Sequence, residues 1–345
     1  MRIGFCTRYC HHEAAYAAVR LMQCTQQLGH EVTVRAITPK PVALDHAIDR
    51  QVRVTQRQVF TEWAGKLDCV VWTHAPHHDQ LNWCKNRGIR TVLFSLWTEV
   101  SPEDRRTYQN ADAIITPCRE GARFLRTRWG LTHTWSMPWD PGLPFTLKAP
   151  DRDAATCRVL LPLYDGNARR TEATALDVAG RMLYRHEKTH LTVAYNSSSF
   201  APFAKRRVDQ FAKYFPGRVL LRPGVPVHER PVLFRQHDLT LWPTHVESCG
   251  MVGLTSVMMG TPVVAFAFSP VTEFLNEQNS VLAPTETVCN DMGVPSARPV
   301  YAELERVLHQ TLESPTVLRS LQDTVLHGLP QRRTAFRDVL QRVFC

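Results

Sequence analysis

The stretch Leu239 to Glu273, LTLWPTHVESCGMVGLTSVMMGTPVVAFAFSPVTE, decides the fold of this chain. Its first apolar run ends at Pro243, a helix-like stretch follows, and a second apolar run covers Val263 to Phe268. This order predicts a strand, a loop, a helix and a second buried strand, the repeating unit of a parallel sheet. Ligands of such sheets bind beyond the carboxyl ends of the strands, where helix N-termini present N–H groups to anions. The isolated Glu247 and the turn Ser248-Cys249-Gly250-Met251 are therefore the first candidates for a ligand site.

The rest of the chain repeats this alternation of strand and helix. It opens with a strand at Arg2 to Thr7, a helix over Glu13 to Leu28 and an alternating strand at Glu31 to Ala36. Pro138 to Pro150 is rich in Pro and Gly, which is typical of an interdomain linker. With 345 residues the chain is long enough for two cores. We predict an α/β protein with two Rossmann-like domains, over residues 1–150 and 151–345.

Composition places the chain among ordinary globular proteins, with 21% charged and 44% apolar residues. Because no apolar run approaches the roughly 18 residues that span a bilayer, we expect no transmembrane segment. The amino terminus MRIGFCTRYC reads as a strand rather than a signal peptide. The 10 cysteines are scattered, which favours reduced thiols over a disulfide framework. These features predict a soluble, cytoplasmic protein.

The opening stretch resembles the donor-binding signature of GT-B glycosyltransferases, especially the retaining family 4. The positions that carry the resemblance are Pro243, Glu247, Gly250, Gly260, Pro262 and Glu273. The resemblance implies two facing Rossmann-like domains, an amino-terminal one for the acceptor and a carboxyl-terminal one for the donor. The last helix, predicted over Ala335 to Phe344, would then cross back to the first domain. It also implies a hexosyl or pentosyl transferase that retains configuration, uses a nucleotide sugar, preferably a UDP-sugar, and needs no metal.

The resemblance assigns roles to the residues around Glu247. It places Glu247 on hydroxyl groups of the donor sugar, and the backbone N–H groups of Gly250, Met251 and Val252 beside the sugar or phosphate. Ser248 and Cys249 complete the turn. Thr255 stands where the family has a second glutamate that bridges the ribose hydroxyls. A threonine hydroxyl can form a hydrogen bond there, but it lacks the charge-assisted, bidentate grip of a carboxylate.

A departing diphosphate needs positive charge, which side chains and helix dipoles supply when no metal does. The loop from Asp165 to Arg170 offers it through Arg169 and Arg170, in the region where the family carries an Arg and a Lys. Two adjacent cations at a helix start oppose the helix dipole, which favours a bound anion over a solvated pair. In the same loop, Gly166 and Asn167 are further donor-binding candidates. The remaining donor candidates are the nucleobase contacts Pro223 and Val225, in the segment Arg222 to Val227.

The amino-terminal half supplies candidates for the other side of the expected cleft. The loop after the first strand carries a cation and two histidines, and family members often have a histidine where this chain has His74. A histidine after a strand is more often structural, and tryptophan usually belongs to the core. Cys10 next to these histidines suggests a metal, but paired ligand spacings do not recur. The cleft candidates are Arg8, His11, His12, His74, Trp97 and Glu99.

The distribution of charge along the chain indicates the chemical class of the acceptor. The formal net charge is +9, and residues 1–150 hold 19 Lys and Arg against 13 Asp and Glu, while the remainder holds 22 against 19. A cationic acceptor half favours an anionic acceptor, although basic proteins that bind no polyanion are also common. We predict duplex DNA that carries hydroxymethylated pyrimidines, as in some bacteriophages. The alternatives are a lipid-linked or glycan acceptor, and a non-catalytic protein of this fold that binds nucleotide or nucleic acid.

Overall fold

A computed structural model of the chain describes residues 1–7, 13–37, 53–55, 59–143, 156–163, 172–195, 202–289 and 293–344. The chain divides into two compact units. The first contains Met1–Gly142 together with Pro330–Cys345, and the second contains Leu143–Leu329. The predicted boundary near residue 150 falls in residues 144–155, which lie outside the described residues.

Within the described residues, the first unit is built on a seven-stranded parallel sheet with the order β3-β2-β1-β4-β5-β6-β7. Its strands are β1 (Arg2–Thr7), β2 (Glu31–Ala36), β3 (Arg53–Thr55), β4 (Cys69–Trp72), β5 (Arg90–Phe94), β6 (Ala113–Thr116) and β7 (Thr134–Ser136). The helices that connect them are α1 (Glu13–Gln27), α2 (Phe60–Ala64), α3 (His78–Lys85), α4 (Arg105–Asn110) and α5 (Arg119–Trp129). All four residues of β4 and of β6 are buried, as expected of parallel strands covered on both faces.

The second unit has a parallel sheet with the order β10-β9-β8-β11-β12-β13, followed by an antiparallel β14–β15 hairpin. The strands are β8 (Cys157–Leu163), β9 (Thr189–Tyr195), β10 (Val219–Pro223), β11 (Leu239–Trp242), β12 (Val263–Phe266), β13 (Ser280–Ala283), β14 (Glu286–Cys289) and β15 (Pro295–Arg298). The helices are α6 (Glu172–Arg185), α7 (Pro202–Tyr214), α8 (Arg230–Arg235), α9 (Met251–Met258), α10 (Val271–Phe274), α11 (Tyr301–Glu313) and α12 (Pro315–Thr324).

Both large sheets have the strand order of a doubly wound Rossmann fold. In each, the strand that comes first along its sheet pairs with the second and the fourth, so the direction of winding reverses beside it. This reversal lies between β1 and β4 in the first unit and between β8 and β11 in the second. The predicted α/β class with parallel sheets is confirmed, and each sheet has one switch point at which ligands of this fold bind.

The described helices and cysteines show two further features. None of the described helices combines the length and apolar character that crossing a membrane requires. Eight cysteines among the described residues are free, and six of them are buried: Cys6, Cys24, Cys69, Cys84, Cys118 and Cys249. Burial raises the pKa of the Cys6 thiol to about 11 and that of Cys69 to about 12. These two side chains therefore stay protonated in the core of the first sheet.

The last helix of the described chain, α13 (Leu329–Phe344), belongs to the first unit, where a buried carboxylate holds it. Asp140 is fully buried, and its Oδ2 accepts hydrogen bonds from Arg20 Nη2 at 2.6 Å and from Arg333 Nε at 3.0 Å. Phe336 of α13 packs edge-on against Trp139, with 5.6 Å between ring centroids. Because Arg20 belongs to α1 and Arg333 to α13, one carboxylate ties the carboxyl-terminal helix to the start of the unit.

We expect Asp140→Asn to loosen α13. The substitution keeps the side-chain shape but removes the charge that two arginines share, and breaking a buried ion pair costs about 3–5 kcal/mol. Tryptic cleavage at Arg333 and Arg337 should become faster, and the midpoint of urea unfolding should fall. The control is Glu286→Gln, which breaks the exposed Glu286–Arg298 pair and should change stability by less than about 1 kcal/mol. Equal effects of the two substitutions would contradict an anchoring role for Asp140.

Candidate functional site

The candidate site of the second unit lies at the switch point between β8 and β11. Leu239 pairs with Val159 and Thr240 with Leu160, so the two strands run side by side toward their carboxyl ends. The carboxyl ends of β8 and β11 therefore lie next to each other. The loop after β8, residues 164–171, lies outside the described residues, and with it the candidates Gly166, Asn167, Arg169 and Arg170. The loop after β11 leads to Glu247.

The carboxylate of Glu247 is buried and held by the backbone of its own turn. Its Oε1 accepts hydrogen bonds from the backbone N–H groups of Ser248 at 2.9 Å, Cys249 at 3.2 Å and Gly250 at 3.1 Å. The side chain is only 7% exposed. Three donors that converge on Oε1 fix the position of the carboxylate, and its second oxygen, Oε2, can accept hydrogen bonds from further partners. Glu247 is thus a preoriented acceptor of hydrogen bonds at the switch point.

This arrangement changes which backbone groups are available to a ligand. The resemblance placed the N–H of Gly250 beside the sugar or phosphate, but this N–H donates to Glu247 instead. Helix α9 begins at Met251, and the first N–H groups of a helix have no partner within it. The positive end of the helix dipole lies there as well. The backbone N–H groups of Met251 and Val252 are therefore those that remain suited to an anion.

A glycine is required where the turn enters the helix. Gly250 has φ +67°, and a Cβ added there would lie 2.3 Å from Cδ2 of Phe274 on α10. Residues other than glycine are strained at this φ, and the Phe274 ring leaves no room for a methyl group. Gly253 makes a similar close contact, because its Cβ would lie 2.6 Å from the Trp242 ring on β11. The two glycines let α9 lie close to β11 and to the segment after β12.

Most of the other donor candidates near Glu247 have buried side chains. Ser248 and Val252 are each 4% exposed, Cys249 is 3% exposed and Thr255 is 7% exposed. Met251 is half-buried, and Thr255 lies one helical turn after it on the same face of α9. A ligand at the start of α9 would therefore meet the turn mainly through its backbone.

One residue of this loop was not among the sequence candidates. His245 lies two positions before Glu247, is half-buried, and its Nε2 is buried with no hydrogen-bond partner among the described residues. Burial lowers the pKa of its imidazole, so the neutral ring is favoured. A neutral ring nitrogen without a partner can donate or accept a hydrogen bond to a ligand. The sequence shows that His245 lies between β11 and Glu247, but only the folded structure shows that its side chain is half-buried.

The predicted nucleobase contacts lie at the carboxyl ends of the strands, the same end of the sheet as the loop that leads to Glu247. Pro223 ends β10 and is exposed, and Val225 follows it and is half-buried. In the sheet order, β10 is two strands away from β8, a lateral distance of about 10 Å. A ligand as long as a nucleotide can reach from the end of β8 to the end of β10.

The switch point of the first unit carries a different set of groups. Thr7 at the end of β1 and Thr73 after β4 share a buried hydrogen bond of 2.6 Å between their hydroxyl oxygens. The half-buried His74 follows directly, so the sequence candidate lies beside this switch point. Arg8, His11 and His12 lie outside the described residues. Among the residues that are described, no group of His, Cys, Asp and Glu side chains is arranged to hold a metal ion.

The two other candidates of the first unit differ in exposure. Glu99 is exposed in a short 3-10 helix after β5, where it is accessible to a ligand. Trp97 is fully buried, with its ring 5.6 Å from that of Phe124. A Cβ on Gly121 would lie 2.4 Å from the Trp97 ring, so α5 packs directly on the indole. Of the cleft candidates, Trp97 is therefore a core residue, and the faces of its ring pack inside the first unit rather than being open to a base or sugar.

We expect Gly250→Ala to disrupt the turn around Glu247 more than its backbone conformation alone explains. The left-handed conformation costs a non-glycine residue about 1–2 kcal/mol, and overpacking adds about 1–3 kcal/mol. Gly217→Ala is the matched control, because Gly217 has φ +76° but no atom within 4 Å of an added Cβ. Thermal and urea unfolding of the two variants measure the difference. Equal losses of stability would show that the Phe274 contact does not constrain the turn.

Comparisons with known proteins agree with this architecture. No family model matches the chain. The chain is 28% identical over 179 residues to D-inositol 3-phosphate glycosyltransferase from Geodermatophilus obscurus, a match that covers 48% of this chain and 40% of that protein. The chain thus spans less than half of the length of this relative.

Solved structures of other proteins resemble the chain over nearly its whole length, and two of them serve as examples. One is a glycosyltransferase from Rickettsia africae, with a TM-score of 0.76, 10% identity and coverage of 99% of this chain and 98% of that chain. The other is Anabaena HepE in complex with UDP and glucose, with a TM-score of 0.75, 14% identity and coverage of 100% and 99%. At such identities the likeness concerns the fold, and the chain has the α/β fold of GT-B glycosyltransferase structures.

Proposed function

We propose that the protein is a glycosyltransferase that transfers a sugar from a nucleotide-sugar donor, preferably a UDP-sugar. The observation that carries this proposal is the Glu247 carboxylate, which three backbone N–H groups fix at the switch point of the second unit. The relatives support it, since one is named a glycosyltransferase and HepE was solved with UDP and glucose. In this function Glu247 accepts hydrogen bonds from hydroxyl groups of the donor sugar.

The start of α9 suits the phosphates of such a donor. The N–H groups of Met251 and Val252 and the helix dipole attract an anion, but they supply less than a full positive charge. Arg169 and Arg170, in the loop after β8, would neutralise the departing diphosphate. The strands that precede these arginines and Glu247, β8 and β11, pair directly in the sheet, which supports a shared role for them. Electrostatic stabilisation of this kind is often the largest contribution to a transfer reaction.

The remaining details of the reaction follow from the resemblance to family 4. The transfer of a hexosyl or pentosyl group would proceed with retention of configuration and without a metal. Thr255 would take the place of the carboxylate that holds the ribose, through a single hydroxyl on the face of α9 that also carries Met251. Pro223 and Val225 would contact the nucleobase at the end of β10. His74 and Glu99, both in the first unit, would contact the acceptor.

For the acceptor we propose an anionic molecule, and hydroxymethylated duplex DNA as the first to test. The support is the surplus of positive charge in residues 1–150, with 19 Lys and Arg against 13 Asp and Glu. A phosphorylated polyol is the second candidate, because the relative from Geodermatophilus obscurus is named for D-inositol 3-phosphate. Both contain phosphate and a free hydroxyl group, and they differ in size and in the number of charges.

Substitution of Glu247 tests the donor site. Glu247→Gln should weaken binding of UDP-glucose by about 10-fold or more, because a hydrogen bond to a charged group contributes about 1.5–3 kcal/mol. Binding of UDP alone should not weaken, since UDP has no sugar for Glu247 to hold. Isothermal titration calorimetry measures both. Glu277→Gln, at an exposed site of the same unit, is the control and should bind both ligands as the wild type does.

The same titrations separate the proposed enzyme from the alternatives. If no UDP-, GDP- or ADP-sugar binds or is hydrolysed by the wild-type protein, the glycosyltransferase proposal is wrong. If a nucleotide sugar binds but is neither hydrolysed nor transferred, the protein is a non-catalytic nucleotide-binding protein of this fold. A Glu247→Gln variant that loses UDP as well as UDP-glucose would contradict the assignment of Glu247 to the sugar.

Label transfer identifies the acceptor. We expect radioactivity from a UDP-sugar to appear on duplex DNA containing hydroxymethylcytosine but not on the same duplex with plain cytosine. Binding to both duplexes should weaken steeply with salt, since the contacts are to phosphates. Transfer to D-inositol 3-phosphate with none to DNA would replace the DNA proposal by that of a phosphorylated polyol acceptor.

A further inference from the structure

We propose that the second unit carries a separate oligosaccharide-binding site in the groove between α6 and α7. The groove has a volume of about 880 Å³. Tyr184 of α6 and Tyr214 of α7 line it and are 84% and 72% exposed. The buried Phe211 ring lies at its base, where a Cβ on Gly180 would come within 2.9 Å of the ring. We call this region the tyrosine groove.

The tyrosine groove lies at the other end of the helices from the candidate donor site. In a parallel α/β unit each helix runs back toward the amino ends of the strands. The groove is lined by α6 from Asp177 onward and by α7 from Arg207 onward, which are the carboxyl-terminal parts of both helices. Glu247 and the start of α9 lie at the carboxyl ends of the strands instead. A ligand in the tyrosine groove would therefore not occupy the donor site.

The two exposed tyrosines suit the apolar faces of sugar rings. Large aromatic side chains are costly to expose, and a tyrosine combines an apolar ring with a polar hydroxyl tip. Here two of them border one concave surface with the Phe211 ring between the helices. The C–H face of a pyranose packs on such a ring while its hydroxyl groups point to the sides. Because the two tyrosines stand on neighbouring helices, whose axes typically lie about 8–10 Å apart, a chain of several sugars suits the groove better than a single one.

Two ion pairs beside the tyrosines suit the hydroxyl groups. Arg207 Nη2 lies 2.6 Å from Asp177 Oδ1, and Arg181 Nε lies 2.7 Å from Glu305 Oε2. Each pair places guanidinium donors next to carboxylate acceptors, and all four side chains retain some exposure. A sugar hydroxyl both donates and accepts, so it can use both members of a pair. Each guanidinium has five N–H donors and each carboxylate about four lone-pair sites, so both members of a pair can still form hydrogen bonds to a ligand.

The charge of the lining favours a neutral or weakly anionic oligosaccharide over a polyanion. Arg181, Arg185 and Arg207 face Asp177 and Glu305, which leaves a surplus of one positive charge. Clusters that hold anionic membranes or nucleic acid carry several uncompensated cations. The other cations of α7, Lys205, Arg206 and Lys213, are exposed on the same helix but do not line the groove. An anionic membrane surface is therefore the alternative ligand that the experiment has to distinguish from an oligosaccharide.

Ligand-observed NMR with maltohexaose, cellohexaose and chitohexaose tests the tyrosine groove. We expect at least one of them to bind the full-length protein, with an affinity that excess UDP leaves unchanged. Tyr184→Ala and Tyr214→Ala should each weaken this binding at least 5-fold, whereas Tyr184→Phe, which keeps the ring, should weaken it less. Leu220→Ala, at a 51% exposed apolar side chain of the same unit, is the control and should bind as the wild type does.

Each other outcome overturns the proposal. Absence of binding by all three hexasaccharides, displacement by UDP, or indifference to both tyrosine substitutions would show that the groove holds no oligosaccharide. Vesicles with 30% anionic lipid form the second arm, and their binding by the wild type with loss in the alanine variants would assign the tyrosines to a membrane. Glu247→Gln should leave hexasaccharide binding intact, so failure of the donor-site proposal and failure of this one remain distinguishable.

Discussion

The turn at Gly250 is the constraint on which the candidate site depends. Its positive φ bends the chain from the loop after β11 into α9, and the Phe274 ring closes the space that a side chain would need. The bend brings the backbone N–H groups of Ser248, Cys249 and Gly250 to one point, where they meet Glu247 Oε1. Without it, a buried carboxylate would have no donors to offset its loss of water. One backbone conformation therefore fixes both the helix direction and the charged group.

Much of the fold was predictable because parallel strands that are buried on both faces leave long apolar runs. The strands β1 and β2 begin and end where the sequence predicted them, and β11 begins at Leu239, where its apolar run begins. Periodicity was less informative where the pattern is weak. The short edge strand β7 and the β14–β15 hairpin were missed, since neither has an apolar run of its own.

The candidate site was predictable in its residues but not in its contacts. The isolated charge of Glu247 after an apolar strand was visible in the sequence, as was the glycine that follows it. The Gly250 N–H donates to Glu247 Oε1 and is therefore not available to a ligand. This contact depends on the side-chain rotamer of Glu247, which the spacing of residues in the sequence does not determine. The burial of Trp97 depends on Gly121, 24 positions later in the chain, which allows α5 to approach the indole. Such contacts between distant segments also place Tyr184 and Tyr214 on one groove.

The hydrogen bonds of Glu247 have a consequence for the proposed chemistry. A carboxylate at the start of α9 adds negative charge where the donor diphosphate would bind, and it occupies three of the N–H groups that would otherwise attract phosphate. The two negative groups repel each other unless cations lie between or beside them. The helix dipole contributes about half a charge at its N-terminus, which offsets only part of this repulsion. The proposed transfer therefore requires Arg169 and Arg170 more strongly than it would with a neutral residue at position 247, and their removal should impair diphosphate binding before it affects the sugar.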